Sequence, residues 1–209
     1  LIAYLIFLTN MPYVAADPIN HFVELLRVNA QYPWYGDILF FGKAFSYDER
    51  PLSYLLVWFI ITTPLFILGL SAYGIVRKMN KHMHGLKLLI LISLGFHILL
   101  YILLKPIIYN GLRHYLFLLP HIVLLAALGY IELTTNKKLR LWMHLALGIY
   151  ILIMIGVYIK LHPYQYTYIN MLVNQKDFEL DYWAASDKEA MTWLSDYLAQ
   201  NNITDVSVF

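Results

Sequence analysis

Cysteine is missing from the 209-residue chain, which excludes a disulfide framework and a thiolate metal centre but leaves the compartment open. Charge is scarce too. Only 13% of residues are Asp, Glu, Lys or Arg, well below the roughly 25% of soluble domains. The formal net charge of +2 is small and the basic residues are scattered, which excludes a nucleic-acid surface, since that needs cations gathered on one face. Eight histidines never take an HExxH or similar spacing, so the zinc-hydrolase pattern is absent. An initiating methionine and a basic leader are missing as well. Leu1 falls inside the apolar run LIAYLIFL, and the closing ITDVSVF reads as the opening of a strand. Both ends predict a chain cut from a longer protein.

What fills the sequence is apolar, 60% of it, and that predicts an all-α membrane protein. A helix crossing a hydrocarbon core of about 30 Å needs about 20 apolar residues. Four windows qualify: Leu52 to Val76, Leu88 to Leu104, His114 to Ile131 and Leu141 to Ile159. Lys87 and Lys105 flank the second, where their stems can snorkel. Residues 1–8 read as the end of an earlier, truncated span, so the expectation is four whole transmembrane helices over 52–161 and one stump. Pro64 and Pro120 predict kinks. His97, His121 and His144 fall within or near spans, where a packed, neutral, hydrogen-bonded ring and a proton relay are the competing readings.

Short loops rich in Lys and Arg face the cytoplasm. RKMNKHMHGLK and TTNKKLR are the two such loops, which puts 9–51, the KPIIYNGLR connection and 162–209 on the other side. Pro18 to Ala30 predicts a short interfacial helix, with Asp17 as N-cap and Pro18 in its first turn. The following QYPWYGDILFFGKAFSYDERP carries Tyr32, Trp34, Tyr35, Phe40, Phe41, Phe45 and Tyr47. It is either an aromatic belt at headgroup depth or a lipid-recruiting cleft. In the tail, Ser186 and Glu189 form a capping-box pattern for a surface helix over Asp187 to Gln200, after which ITDVSVF would begin a small α/β outer domain. Asn202-Ile203-Thr204 is a glycosylation sequon, relevant only in a eukaryote.

Three outer turns converge on one face: the Gly42-Lys43 turn, Lys105 to Arg113, and the exit at His162. Arg113 reads as the only arginine bordering a span there. Its planar fork of donors matches phosphate oxygens and keeps its charge at every relevant pH. A snorkelling interfacial anchor is the competing reading.

The string YNGLRHYLFLLPHIVLLAALG resembles the pattern Y-x-G-x-R-H-x-L-F-x-x-P of polytopic glycosyltransferases similar to the dolichyl-phosphate-mannose protein mannosyltransferases, the GT-C superfamily. HPYQYTYINMLV followed by FELDYWAASDKEAMTWL resembles the end of their membrane domain and the start of their outer domain. PLSYLLVWFIITTPLFILGL resembles the helix after their G-K outer loop. The likeness covers about Gly42 to Leu194. It implies a transferase that moves a sugar from a polyprenyl-phosphate carrier, with inversion, to an acceptor on the extracytoplasmic face, with membrane lipid and no nucleic acid as its other company. It also implies Arg113 as the donor-phosphate ligand with His114 beside it, while Lys105, Tyr109 and Lys43 follow from position alone. The acid that serves as general base in such enzymes lies in a first outer loop absent from this chain, and Asp17, Asp37 and Asp48 do not match it. No catalytic residue and no metal ligand is therefore expected here, although the resemblance leaves room for a divalent metal in the full-length enzyme. A prokaryotic plasma membrane is preferred to endoplasmic reticulum. The sugar and the acceptor stay open. A transporter or flippase segment with histidines along a path, and a non-catalytic membrane subunit, are the alternatives.

Overall fold

The computed structural model of the chain describes residues 2–30, 36–46 and 49–203. Tyr32, Trp34, Tyr35, Tyr47, Asp48 and the strand opening at 204–209 lie outside them. Eleven elements follow in order among the described residues: α1 (Ile2–Asn10), α2 (Pro12–Ala16), α3 (Asn20–Ala30), β1 (Asp37–Phe40), β2 (Lys43–Ser46), α4 (Tyr54–Thr62), α5 (Leu65–Val76), α6 (Lys81–Leu104), α7 (Leu119–Thr135), α8 (Lys137–Leu161) and α9 (Asp187–Gln200). A 3₁₀ segment, Arg113–Leu118, leads into α7.

Among the described residues three helices are long and apolar enough to cross a membrane, Met83–Leu104, Arg113–Thr135 and Lys137–Leu161, or four if the bent pair α4–α5 makes one span. Local chemistry sets their ends. The Asn80 side chain accepts from the Met83 amide at the head of α6, and Lys105 closes that helix in a left-handed conformation ahead of Pro106. Asn136 ends α7 and starts α8, accepting from the Lys138 amide. Pro120 sits in the first turn of α7, where its missing N–H is harmless, so it opens the helix instead of kinking it. Lys87 does not snorkel. It is buried and donates to the carbonyls of Ile75 and Arg77, capping α5.

The window Leu52 to Val76 is not one straight helix but a bent pair that passes the length and hydropathy test only together. At Thr63-Pro64 the chain turns through 116° between α4 and α5. The twelve residues of α5 reach about 18 Å. They lie parallel to α7, because contacts rise together along both: Ser71 with Ile122, Gly74 with Leu125, Arg77 with Glu132. The approach is at backbone distance. A Cβ on Gly74 would sit 2.2 Å from the Leu125 carbonyl oxygen, and one on Gly129 would sit 2.2 Å from that of Leu70. Small residues permit such crossings where no hydrophobic force separates protein from lipid. The Ser71 hydroxyl lies 2.8 Å from the carbonyls of both Ile67 and Ile122 and shares its proton between them.

The short α4 instead enters a compact layer at the Arg113 end of the helices. Tyr54, Leu55, Trp58, Phe59 and Ile61 are buried there with Ile38, Phe40, Leu112, Leu118, Ile169 and Phe178. Carbonyls freed by the break need donors, and a residue 110 positions away supplies them. Asn170 Nδ2 donates to Ile60 and Thr63 at 2.6 and 2.9 Å, and its backbone N–H donates to Ile61 at 2.7 Å.

The all-α expectation is corrected by an antiparallel hairpin within the aromatic loop, Asp37 pairing with Ser46 and Phe40 with Lys43. Phe41 and Gly42 carry positive φ, the geometry of a two-residue hairpin turn that matches strand twist. Its tip docks on the tail. Gly42 N–H donates to the Asp177 carbonyl at 3.0 Å, and Phe40 bridges to Phe178. Phe40 is therefore core rather than belt, while Phe41 stays exposed. The helix expected over 18–30 is α3, with Asp17 accepting from the Asn20 amide. Helix α9 has the expected bounds but no capping box, because the Ser186 hydroxyl donates to Asp181 instead.

Candidate functional site

The turn that aims Arg113 is Asn110-Gly111, both in the left-handed region. Gly111 has no alternative: its N–H donates to Tyr54 Oη at 2.9 Å, and a Cβ would meet the Trp58 ring at 3.3 Å. Two residues on, Arg113 lines a cavity of about 270 Å³. Trp58 and Thr62 of α4 form one wall, Leu116 and Leu119 another, and Tyr158 of α8 a third. The folded-back tail closes it with Gln165, Tyr166, Tyr168, Glu179 and Tyr182.

Arg113 is held flat by rings. Its guanidinium carbon lies 4.9 Å from the centroid of Trp183, 5.0 Å from Tyr109 and 5.9 Å from Tyr182, contacts worth about 0.5–2 kcal/mol each. Among the described residues it makes no ion pair and no hydrogen bond, and it lines the cavity.

A second arginine stands on this face, against the expectation that Arg113 is the only one bordering a span there. Arg50 stands just before Pro51, at the head of the Leu52 window. Its fork donates to the carbonyls of Ile108 and Pro106 at 2.8 and 3.0 Å, and its guanidinium lies 5.7 Å from the rings of Tyr54 and Tyr101. Arg50 thus pins the 105–108 connection, which leaves Arg113 as the cation available to a ligand.

Of the other candidates, Tyr109 and His114 gather at Arg113, their rings 4.8 Å apart. Lys105 is the exposed cap of α6 and Lys43 the exposed first residue of β2; neither lines the cavity. The unforeseen member is Glu179. Its half-buried carboxyl lines the same cavity as Arg113, and burial pushes its pKa above the ordinary carboxylate value. No local pattern announces it, because its wall partners come from α4 and the 3₁₀ segment. Two residues on, Asp181 accepts from the Ser186 amide and hydroxyl, the Ala185 amide and Tyr166 Oη. Those donors hold its carboxyl at about 2, while lost hydration and the bond to Asp181 push Tyr166 up to about 12. Asp181 is a clamp for the tail.

Of the three histidines in the spans, His97 and His121 are adjacent, with ring centroids 6.4 Å apart, and His144 stands apart from them. His97 Nδ1 donates to the Ser93 carbonyl at 2.7 Å, and His121 Nε2 bonds to Ser93 Oγ at 2.9 Å. His144 bonds instead to Tyr130 at 2.6 Å, nine residues beyond His121 on α7 and thus about 13 Å along it. Among the described residues there is one broken helix pair and no group of three or more His, Asp or Glu placed to hold a metal. Compared with protein-family models, curated proteins and solved structures, the chain finds no match.

Proposed function

We propose that this chain is the later part of a multi-pass membrane glycosyltransferase that takes a sugar from a polyprenyl-phosphate donor at the extracytoplasmic side of a prokaryotic plasma membrane and passes it to an acceptor hydroxyl. The observation that carries the reading is the position of Arg113, an uncompensated guanidinium in a cavity wall at the end of a membrane-length helix. A permanent cation beside apolar surface is unfavourable unless it meets water, a carboxylate or a phosphate. Its fork suits phosphate, and the anion leaving with the lipid is where charge grows as the sugar departs. The cavity, slightly smaller than the ~300–1,000 Å³ of whole ligand pockets, fits a headgroup with the lipid chain left outside. Rings such as Trp58 and Tyr182 in its wall can stack on a sugar's apolar face.

The test is Arg113→Ala in the full-length protein, after insertion is confirmed, with transfer measured from polyprenyl-phosphate-linked sugars. Loss of a charge-assisted contact worth about 1.5–3 kcal/mol lowers kcat/KM by about 10- to 150-fold, and Arg113→Lys, which keeps the charge without the fork, recovers part of it. Wild-type kinetics in Arg113→Ala would remove the residue from the site and the reading with it.

A further inference from the structure

We infer that a second cavity, beside the last turns of α8, holds one anionic phospholipid of the surrounding bilayer, with its phosphate on Lys160 and an acyl chain along the helix. The inference is independent of the transferase reading, since it uses neither Arg113 nor any reaction. The cavity has a volume of about 430 Å³. Ile153, Val157 and Lys160 of α8 bound it on one side, and Ile169, Val173 and Gln175 of the tail on the other. Tyr168 is the one residue common to its wall and to that of the Arg113 cavity.

The helical register gives this wall the polarity of a lipid. Positions 153, 157 and 160 share one face of α8, and at 1.5 Å per residue they cover about 10 Å of the helix. Lys160 stands one residue before the end of α8, whereas Ile153 and Val157 lie deeper along the membrane-length helix. A charge at the boundary with apolar surface beneath it matches a headgroup with its chain. The polar groups at the boundary are uncommitted. Among the described residues Lys160 makes no hydrogen bond and no ion pair, and the Gln175 side chain makes no hydrogen bond. An ammonium brings three donors on a flexible stem and an amide brings two more, so both can serve phosphate oxygens. Charge then selects the class of headgroup. Among the described residues no Asp or Glu lines the cavity, so the amine of a zwitterionic lipid finds no counter-ion there, while the net charge of an anionic one meets Lys160. Basic pockets at the membrane boundary take anionic headgroups for this reason. The volume falls within the ~300–1,000 Å³ of ligand pockets, enough for the headgroup and the start of one chain. Leu152, Ile153 and Met171 are exposed beside it and offer apolar surface to the rest of the lipid.

The experiment is native mass spectrometry of the full-length protein released from detergent micelles and titrated with phosphatidylglycerol or with phosphatidylcholine of the same chains, which gives a Kd for each. Wild type is expected to prefer phosphatidylglycerol by about fivefold, the factor for one basic residue at an anionic headgroup. Lys160→Ala loses that preference and leaves phosphatidylcholine binding unchanged, while Lys160→Arg keeps it. Val157→Trp fills the apolar part of the cavity and weakens both lipids together. Lys188→Ala, which removes an exposed lysine of α9, changes neither. Equal binding of the two lipids by wild type, or a preference that survives in Lys160→Ala, overturns the assignment. If equimolar decaprenyl phosphate displaces phosphatidylglycerol from Arg113→Ala, the occupant is a polyprenyl lipid and the phospholipid assignment falls. A wild type that is a lipid-free dimer, and that Val157→Trp turns into a monomer, gives the face to a second copy of the chain and overturns the assignment as well.

Discussion

Replacing Asn170 with alanine removes a single amide, yet it leaves two carbonyls at the α4–α5 break without donors. Thr63 is 4% exposed, so water does not take over at its carbonyl, whereas Ile60 is exposed, at 46%. A buried acceptor stripped of its donor costs about 1–3 kcal/mol, and with one site partly hydrated the sum is about 2–4 kcal/mol. The backbone bond from Asn170 to Ile61 survives the substitution, and the Leu172 amide, which loses its bond to Asn170 Oδ1, can turn to solvent. At about 2–4 °C per kcal/mol for a domain of this size, Tm falls by roughly 4–16 °C. Asn170→Asp keeps the shape but turns a donor into an acceptor beside two carbonyls, so it falls at least as far. Scanning calorimetry of the protein in micelles reads the shift, and amide exchange over 60–66 reads whether the loss is local. An Asn170→Ala variant that melts within about 1 °C of wild type, with exchange at the break unchanged, would show that the tail does not hold the bend.

Gly129→Ala places a Cβ 2.2 Å from a backbone carbonyl, short of ordinary contact by about 1 Å. Overpacking of that kind costs about 1–3 kcal/mol, and Gly74→Ala combined with it costs less than the two apart, since one separation of the helices relieves both clashes; denaturation of the two single variants and the double tests this. Asp181 binds its proton less readily folded than unfolded, so the clamp contributes stability above the ordinary value of 3.8 and loses it as pH falls toward about 2. Limited proteolysis of 162–200 should accelerate across that window in wild type, whereas Asp181→Asn should be already susceptible at pH 6 and nearly flat below it.

Hydropathy located the membrane-length helices because a long apolar run is a local property. TTNKKLR marks the α7–α8 junction as a loop, although the helices run on into it to Thr135 and from Lys137, and the pattern around Ser186 to Gln200 gives α9 its bounds. Direction was not legible. LLVWFIITTPLFILGL is equally oily on both sides of Pro64, so the proline marks the break but not its 116°, and the donors that satisfy the freed carbonyls come from an asparagine more than a hundred residues later, which no window can contain. The same holds for the site. Arg113 stood out as a cation against an apolar run, and Asn110-Gly111 is a readable turn. Glu179 was one acid among many in the tail until the chain doubled back and left it facing a cavity. The aromatic loop hid its hairpin because rings that pack inward and rings that line a membrane surface have the same composition. Arg50 is illegible as a pin because the carbonyls that it holds, of Pro106 and Ile108, lie more than fifty residues away.

Where Gly74 and Gly129 meet, no side chain separates α5 from α7, so the two pack as one unit, and Leu119 at the head of α7 carries that unit to the wall of the cavity. The strap from Gln165 to Trp183 is fastened to the same body, through Asn170 at the α4–α5 break, the Asp177 carbonyl on Gly42 and the buried ring of Phe178.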